Sequence, residues 1–238
     1  VVMFTASDDV ISTLCRFVDI ARSDRSVELE SRLGTWRNNR FHAGVSRESM
    51  DRLVKSMDMH CKEEDSTAVI IDDEWQETED YHYTVKNTPT RTRVNFCHKT
   101  MTMAAETIEK QTLETIVLQS HICDIRVAIA RETRRERPER MVVPNHVRIK
   151  QLRRYKARNS PFVITCAMIW SGATLEEAER CQASNEPNFE IECELEFDRD
   201  PKYAGRSNSH IARSILTKSV GLMLGDSVNF VAVPRTGV

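Results

Sequence analysis

The chain has 238 residues, 40% of them hydrophobic and 29% charged, with a formal net charge of -2. That length can bury a sizeable core as one domain spanning 1–238, and that balance excludes a disordered or fibrous chain. No apolar run reaches the roughly 20 residues of a membrane span, the amino terminus lacks the basic-then-apolar order of a signal peptide, and the seven cysteines show neither Cys-x-x-Cys pairs nor zinc-type spacing, which reads as reduced thiols in an intracellular setting.

A first helix is expected from Asp8 to Ala21, where Val10, Ile11, Leu14, Val18 and Ile20 fall at near-helical spacing behind Ser7, a capping residue. The stretch "SVELESRLG" then alternates, with Glu28 and Glu30 on one face and Val27 and Leu29 on the other. A second helix is expected from Ser46 or Arg47 to about His60, with Met50, Leu53, Val54 and Met57 along one stripe. Beyond it most of the chain alternates: "TAVIIDD", "YHYTV", "TRTRVNF", "TIEKQTLETIVL", "ICDIRVAIA", "HVRIKQ", "PFVITCAMIW" and "FEIECELEF". Between them "ETRRERPER" reads as an exposed connection, and a third helix is expected from Ser209 to about Leu224. Eight or so such segments predict a mainly β (α+β) protein built on an antiparallel sheet or closed barrel with a few helices.

The strands carry an unusual charge pattern. Glu190, Glu192, Glu194 and Glu196 share one face, while Ile191, Cys193, Leu195 and Phe197 take the other. A single alternation of this kind is ordinarily a solvated face, but "SVELESRLG" repeats it. Arg91 and Arg93 share parity, as do Asp124 and Arg126, and Arg148 and Lys150. From Arg126 to Arg158 there are twelve Lys or Arg against three Glu. Inward charges in an ordinary small barrel carry a severe desolvation cost, so the pattern makes sense if the interior is wet. Acidic strands would then hold a divalent cation, and Arg and Lys on other strands would hold phosphate oxygens.

"VELESRLG" and "FEIECEL", taken in this order, resemble the two glutamate-rich strands of the metal-dependent RNA 5′-triphosphatases of fungal and protozoal mRNA capping, members of the triphosphate tunnel metalloenzymes. The resemblance extends through "RFHAGVS", "TIEK", "CDIRVAIARE", "RIKQLRRY" and "MIWSG", and the small single-domain form looks like the trypanosome enzyme. It implies eight antiparallel strands closed into a hydrophilic tunnel that removes the γ-phosphate from the 5′-triphosphate end of nascent mRNA. It further implies Mg²⁺ or Mn²⁺ as cofactor, nuclear location, nucleoside triphosphates as secondary substrates and a guanylyltransferase as the next enzyme of the pathway.

By position, the resemblance assigns Glu28, Glu30 and Glu194 to the metal, with Glu190 and Glu192 as the remaining catalytic glutamates of the second motif. It assigns Glu132 to the attacking water, and Arg93, Lys110, Arg126, Arg148 and Lys150 to the phosphates. The chain departs from the family pattern at Leu152, where a third basic residue is usual, and at Val163, Thr165 and Ala167, where the family has Arg-x-Asp-x-Thr. Two other functions stay open beside capping. One is a tunnel enzyme for polyphosphate or nucleoside triphosphates, since Arg32 stands where such relatives have lysine; the other is a non-catalytic module binding 5′-triphosphate RNA.

Overall fold

The computed structural model describes residues 7–62, 68–70, 74–85, 88–97, 102–120, 122–136, 142–157, 161–196 and 205–224. Phe197, part of "TAVIIDD" and residues 137–140 of the basic connection lie outside them. The elements in chain order are α1 (Asp8–Ser23), β1 (Val27–Arg37), β2 (Arg40–Ala43), α2 (Arg47–Lys62), β3 (Ala68–Ile70), β4 (Gln76–Val85), β5 (Thr88–Cys97), β6 (Thr102–Leu118), β7 (Asp124–Arg135), β8 (His146–Ala157), β9 (Phe162–Gly172), α3 (Leu175–Ser184), β10 (Asn188–Leu195) and α4 (Asn208–Leu224).

Eight strands close into an antiparallel barrel in the order β10-β9-β8-β4-β5-β6-β7-β1, and β1 returns to β10 through Leu29 opposite Leu195 and Glu30 opposite Glu194. Closure leaves these strands no free edge. The short β2 folds back on β1, and β3 pairs with β8. Between β1 and β2 stand Asn38 and Asn39, both at positive φ (52° and 56°), the backbone of a two-residue hairpin turn that asparagine tolerates. Gly34 lets this hairpin lie flat, since a Cβ there would come within 2.2 Å of the His42 carbonyl oxygen.

The barrel is inside out relative to most small barrels. The apolar parity of β1, β9 and β10 faces outward, and Leu29, Phe162, Ile164, Ile191 and Cys193 are buried there. They join one core with Leu14, Phe17 and Val18 of α1, Leu53 and Met57 of α2, and Ile211 and Ile215 of α4. Each large side chain so buried contributes about 1.5–3 kcal/mol. With the core outside, the inner parity is released from packing and is free to be charged.

The helices begin where their sequences direct. Ser7 caps α1 by accepting from the Val10 amide, with Asp8 and Asp9 in the first turn favoured by the helix dipole. Thr174 caps α3 by accepting from the Glu177 amide, while the Glu177 carboxylate accepts from the Ala173 amide, a reciprocal pairing close to a capping box. Among the described residues no helix is long and apolar enough to cross a membrane.

Candidate active site

Directly opposed residues of antiparallel strands project from the same face, so the registers identify the tunnel lining. On β1 it is Glu28, Glu30 and Arg32; on β10, Glu190, Glu192 and Glu194. Lys110 of β6 opposes Glu132 of β7, and Arg126 of β7 opposes Arg32. Across the ring Asp80 of β4 lies between Arg93 of β5 and Arg148 of β8, with Lys150 one step along β8. All eleven residues assigned from the sequence therefore face one interior.

Glu30, only 3% exposed, is the hub of the acidic wall. It accepts from Arg126 at 2.9 Å, from Arg32 at 3.0 Å and from Lys110 at 3.2 Å. Burial alone would raise its pKa, but Arg32 and then Lys110 and Arg126 outweigh it and hold the group at about 2. Glu28 and Glu194 fare differently. Burial, with Glu30 and Glu132 adding like charge and Lys110 opposing, pushes Glu28 up to about 7. Burial together with Glu28, Glu196 and Glu192 pushes Glu194 up to about 8. This wall carries more negative charge than its own cations neutralise.

The opposite wall errs the other way. Asp80 is completely buried and accepts from Arg93 through both oxygens, at 2.7 and 3.0 Å, while Lys150 approaches at 2.7 Å. Burial disfavours its charge, yet Lys150 and Arg93 hold its carboxyl far below the usual carboxylate range. The surplus falls on the cations. Burial first, then Arg93, lowers Arg91 from its ordinary value; burial, with Arg148 and Arg93 adding to it and Asp80 opposing, brings Lys150 down to about 8.

Hydrogen bonding points the same way. The buried Nε groups of Arg32, Arg91 and Arg126 have no acceptor among the described residues. An unsatisfied buried donor costs about 1–3 kcal/mol, so the tunnel holds unmet capacity for an oxyanion. A ligand combining a cation with a polyanion would relieve both walls at once.

The donor chemistry fits a hard divalent ion. Glu30 and Glu194 stand directly opposite one another, and Glu28 shares their face; like charges so placed repel unless a cation lies between them. All the ligands offered are carboxylate oxygens, which suit Mg²⁺ and Mn²⁺. Among the described residues no three carboxylates converge at ligating distance. The nearest cation to Glu28 is the Lys110 ammonium, which hydrogen-bonds it.

Glu190 accepts from Arg148 at 2.6 Å and lies 3.7 Å from Arg32, while Glu192 lies 3.2 Å from Arg32. These contacts pair Glu190 and Glu192 with the arginines of the tunnel. Trp36 is 38% exposed beside the hairpin turn. Three further residues line the tunnel that the sequence does not single out as site members: Arg32, Asp80 and Arg91. The signal for Arg91 is its shared parity with Arg93; that for Asp80 is the polar parity of "ETEDYHYTV" it shares with Thr78 and His82, alternating with Glu77, Glu79 and Tyr81. The departures at Leu152 and Ala167 join Ile169 in a small apolar patch on the β8–β9 wall, with Val163 and Thr165 on the same parity of β9.

The RNA triphosphatase Pct1 of S. pombe superimposes with a TM-score of 0.64 at 14% identity, covering 92% of this chain and 93% of that one. The fold is that of the RNA triphosphatases. A second structure of Pct1, in complex with the Spt5 CTD, gives 0.64 at 15% identity over 92% and 94% of the two chains. The triphosphatase of the Mimivirus capping enzyme gives 0.60 at 10% identity over 92% and 98%. No protein-family model and no curated protein matches the chain.

Proposed function

We propose that this chain is a metal-dependent RNA 5′-triphosphatase that removes the γ-phosphate from the 5′-triphosphate end of nascent mRNA, the first step of cap formation. The observation that carries this reading is the opposed charge imbalance of one closed tunnel, with Glu28 of β1 and Glu194 of β10 forced upward and Arg91 of β5 and Lys150 of β8 forced downward. A triphosphate brings several negative charges and little demand for covalent chemistry, so positioning and electrostatics are what the site must supply.

In this reading Glu28, Glu30 and Glu194 hold Mg²⁺ or Mn²⁺, which when bound polarises a phosphoryl oxygen and neutralises charge on the leaving group. Arg91, Arg93, Arg148 and Lys150 clamp the phosphate oxygens, with Asp80 and Glu190 fixing their geometry. Arg126 and Arg32 supply unmet Nε donors from the β1–β7 side. Glu132, within 3.4 Å of Lys110 and 3.9 Å of Arg91, orients the attacking water. The trypanosome-like subtype, a single domain, nuclear location, a guanylyltransferase acting next and slower use of free nucleoside triphosphates belong to the same proposal.

Release of inorganic phosphate from triphosphate-ended RNA, measured with Mg²⁺, with Mn²⁺ and with chelator, tests it. Turnover indifferent to chelator ends the metal assignment. One observation favours a second reading: the apolar patch of Leu152, Ala167 and Ile169 removes donors from one wall, which a non-catalytic module binding 5′-triphosphate RNA tolerates. Binding of the RNA without phosphate release would decide for that module.

A further inference from the structure

Lys110 sits among the carboxylates that the proposed function gives to the metal. Its ammonium hydrogen-bonds Glu28, lies 3.2 Å from a Glu30 oxygen and 3.4 Å from a Glu132 oxygen. Glu30 has two other cations, Arg126 and Arg32, at 2.9 and 3.0 Å. Among the described residues Glu28 pairs with Lys110 alone, so the ammonium stands in for the charge a divalent ion would bring. Both cannot share that carboxylate at contact distance without strong repulsion.

The side chain is built to move. Lysine carries its charge on a flexible four-carbon stem, and that of Lys110 is 24% exposed to the tunnel. Glu132 opposes it across β6 and β7 and keeps one partner within reach when it leaves Glu28. Phosphate oxygens in the same tunnel are the other acceptors available.

We propose that Lys110 is a built-in competitor for the metal site, so that the carboxylates accept a divalent cation fully only once an oxyanion draws the ammonium away. The inference rests on the proposed metal assignment and adds an order to it: the site is weak for metal alone and tightens with the phosphate chain present. Lys110 thereby becomes a positioning residue that couples the two ligands, and the coupling acts reciprocally on each.

Mn²⁺ binding to the whole chain, followed by the electron paramagnetic resonance of the free ion, tests this without reference to turnover. Lys110→Met is expected to bind Mn²⁺ about tenfold more tightly than wild type, while Lys110→Arg, which keeps the charge, shows no such gain. Sulfate, a weak chelator, is expected to tighten Mn²⁺ binding to wild type more than to Lys110→Met. If Lys110→Met does not fold, Lys110→Gln takes its place, its amide still donating to a carboxylate. Equal or weaker Mn²⁺ binding by the neutral variants overturns the proposal. Should Mn²⁺ bind wild type and variants alike while phosphate release still requires it, only the role of Lys110 falls; should no form bind Mn²⁺ and release ignore chelator, the metal assignment falls with it.

Discussion

Asp80 and Arg93 face one another across β4 and β5 and join through two parallel hydrogen bonds of 2.7 and 3.0 Å, with the Lys150 ammonium closing the other side of the same carboxylate. Removing the carboxylate leaves a buried ammonium and a partly buried guanidinium without it. Asp80→Ala is therefore expected to destabilise the fold by about 3–5 kcal/mol, read from urea unfolding. Tripolyphosphate, offering replacement oxygens to the same cations, is expected to restore part of the loss by mass action. A loss that tripolyphosphate leaves untouched would mean that these side chains do not meet phosphate.

Glu132 separates chemistry from binding. Glu132→Gln preserves size and removes charge, and is expected to slow phosphate release by about 10²–10⁴-fold with little change in affinity for triphosphate-ended RNA. Arg93→Ala is expected to weaken the affinity instead. Unchanged turnover in Glu132→Gln would take the residue out of the mechanism.

Ligands that bind only the folded state raise its melting temperature. Mn²⁺ is expected to raise that of wild type and to have little effect on Glu194→Gln or Glu30→Gln, as scanning fluorimetry would record. An equal rise in all three proteins would place any metal elsewhere.

His82 gives the fold a pH dependence of its own. Burial lowers its pKa from 6.5 to about 4, against the opposing pull of Asp80, with Arg148, Lys150 and Arg91 adding to the shift; the ring also faces His146 at 5.7 Å between centroids. The unfolded chain then binds more protons than the folded one between these values. Stability from this group is complete above about pH 6.5 and declines as pH falls toward 4. In His82→Asn the difference in urea midpoint between pH 7 and pH 4.5 should shrink. An unchanged difference would show that other groups carry it.

The inverted barrel makes two lysine substitutions on neighbouring strands unequal. Leu152→Lys enters the tunnel, and Ile164→Lys enters the helix-covered core, where Ile164 is fully buried. The first is expected to fold with a modest loss of melting temperature; the second is expected not to fold, because an unpaired charge in that layer has no solvent or partner. Circular dichroism on both variants decides, and similar behaviour would contradict the inside-out assignment.

Much of this is legible in the sequence, for physical reasons that also mark the limits. Ser7, the 3.6-residue stripes of α1 and α2, and the two-residue alternation of "FEIECELEF" are local signals that tertiary packing reinforces. α3 escapes a search for apolar stripes because its one buried residue, Ala178, makes none; its signal is the capping pair of Thr174 and Glu177. β2 is too short to alternate visibly, although Asn38-Asn39 is a turn sequence. Parity tells which residues share a face but not which strand lies next to which. The pairings of β4 with β8 and of β1 with β10 join segments far apart in the chain, and only they reveal that Asp80 serves Lys150 as well as its hairpin neighbour Arg93, or that Arg32 serves Glu190 and Glu192.

β10 writes two messages in alternating letters. Its even-numbered glutamates are read by the tunnel, and Ile191, Cys193 and Leu195 are read by the helices. Changing one letter alters one message and spares the other, so the electrostatics of the interior can drift from one substrate to another while the packing of the outer layer is left as it was. Adding a single letter spoils both at once, since one inserted residue turns the downstream glutamates into the oily layer and the oily side chains into the tunnel. Such a lineage should tolerate many substitutions along this strand and almost no insertions or deletions within it.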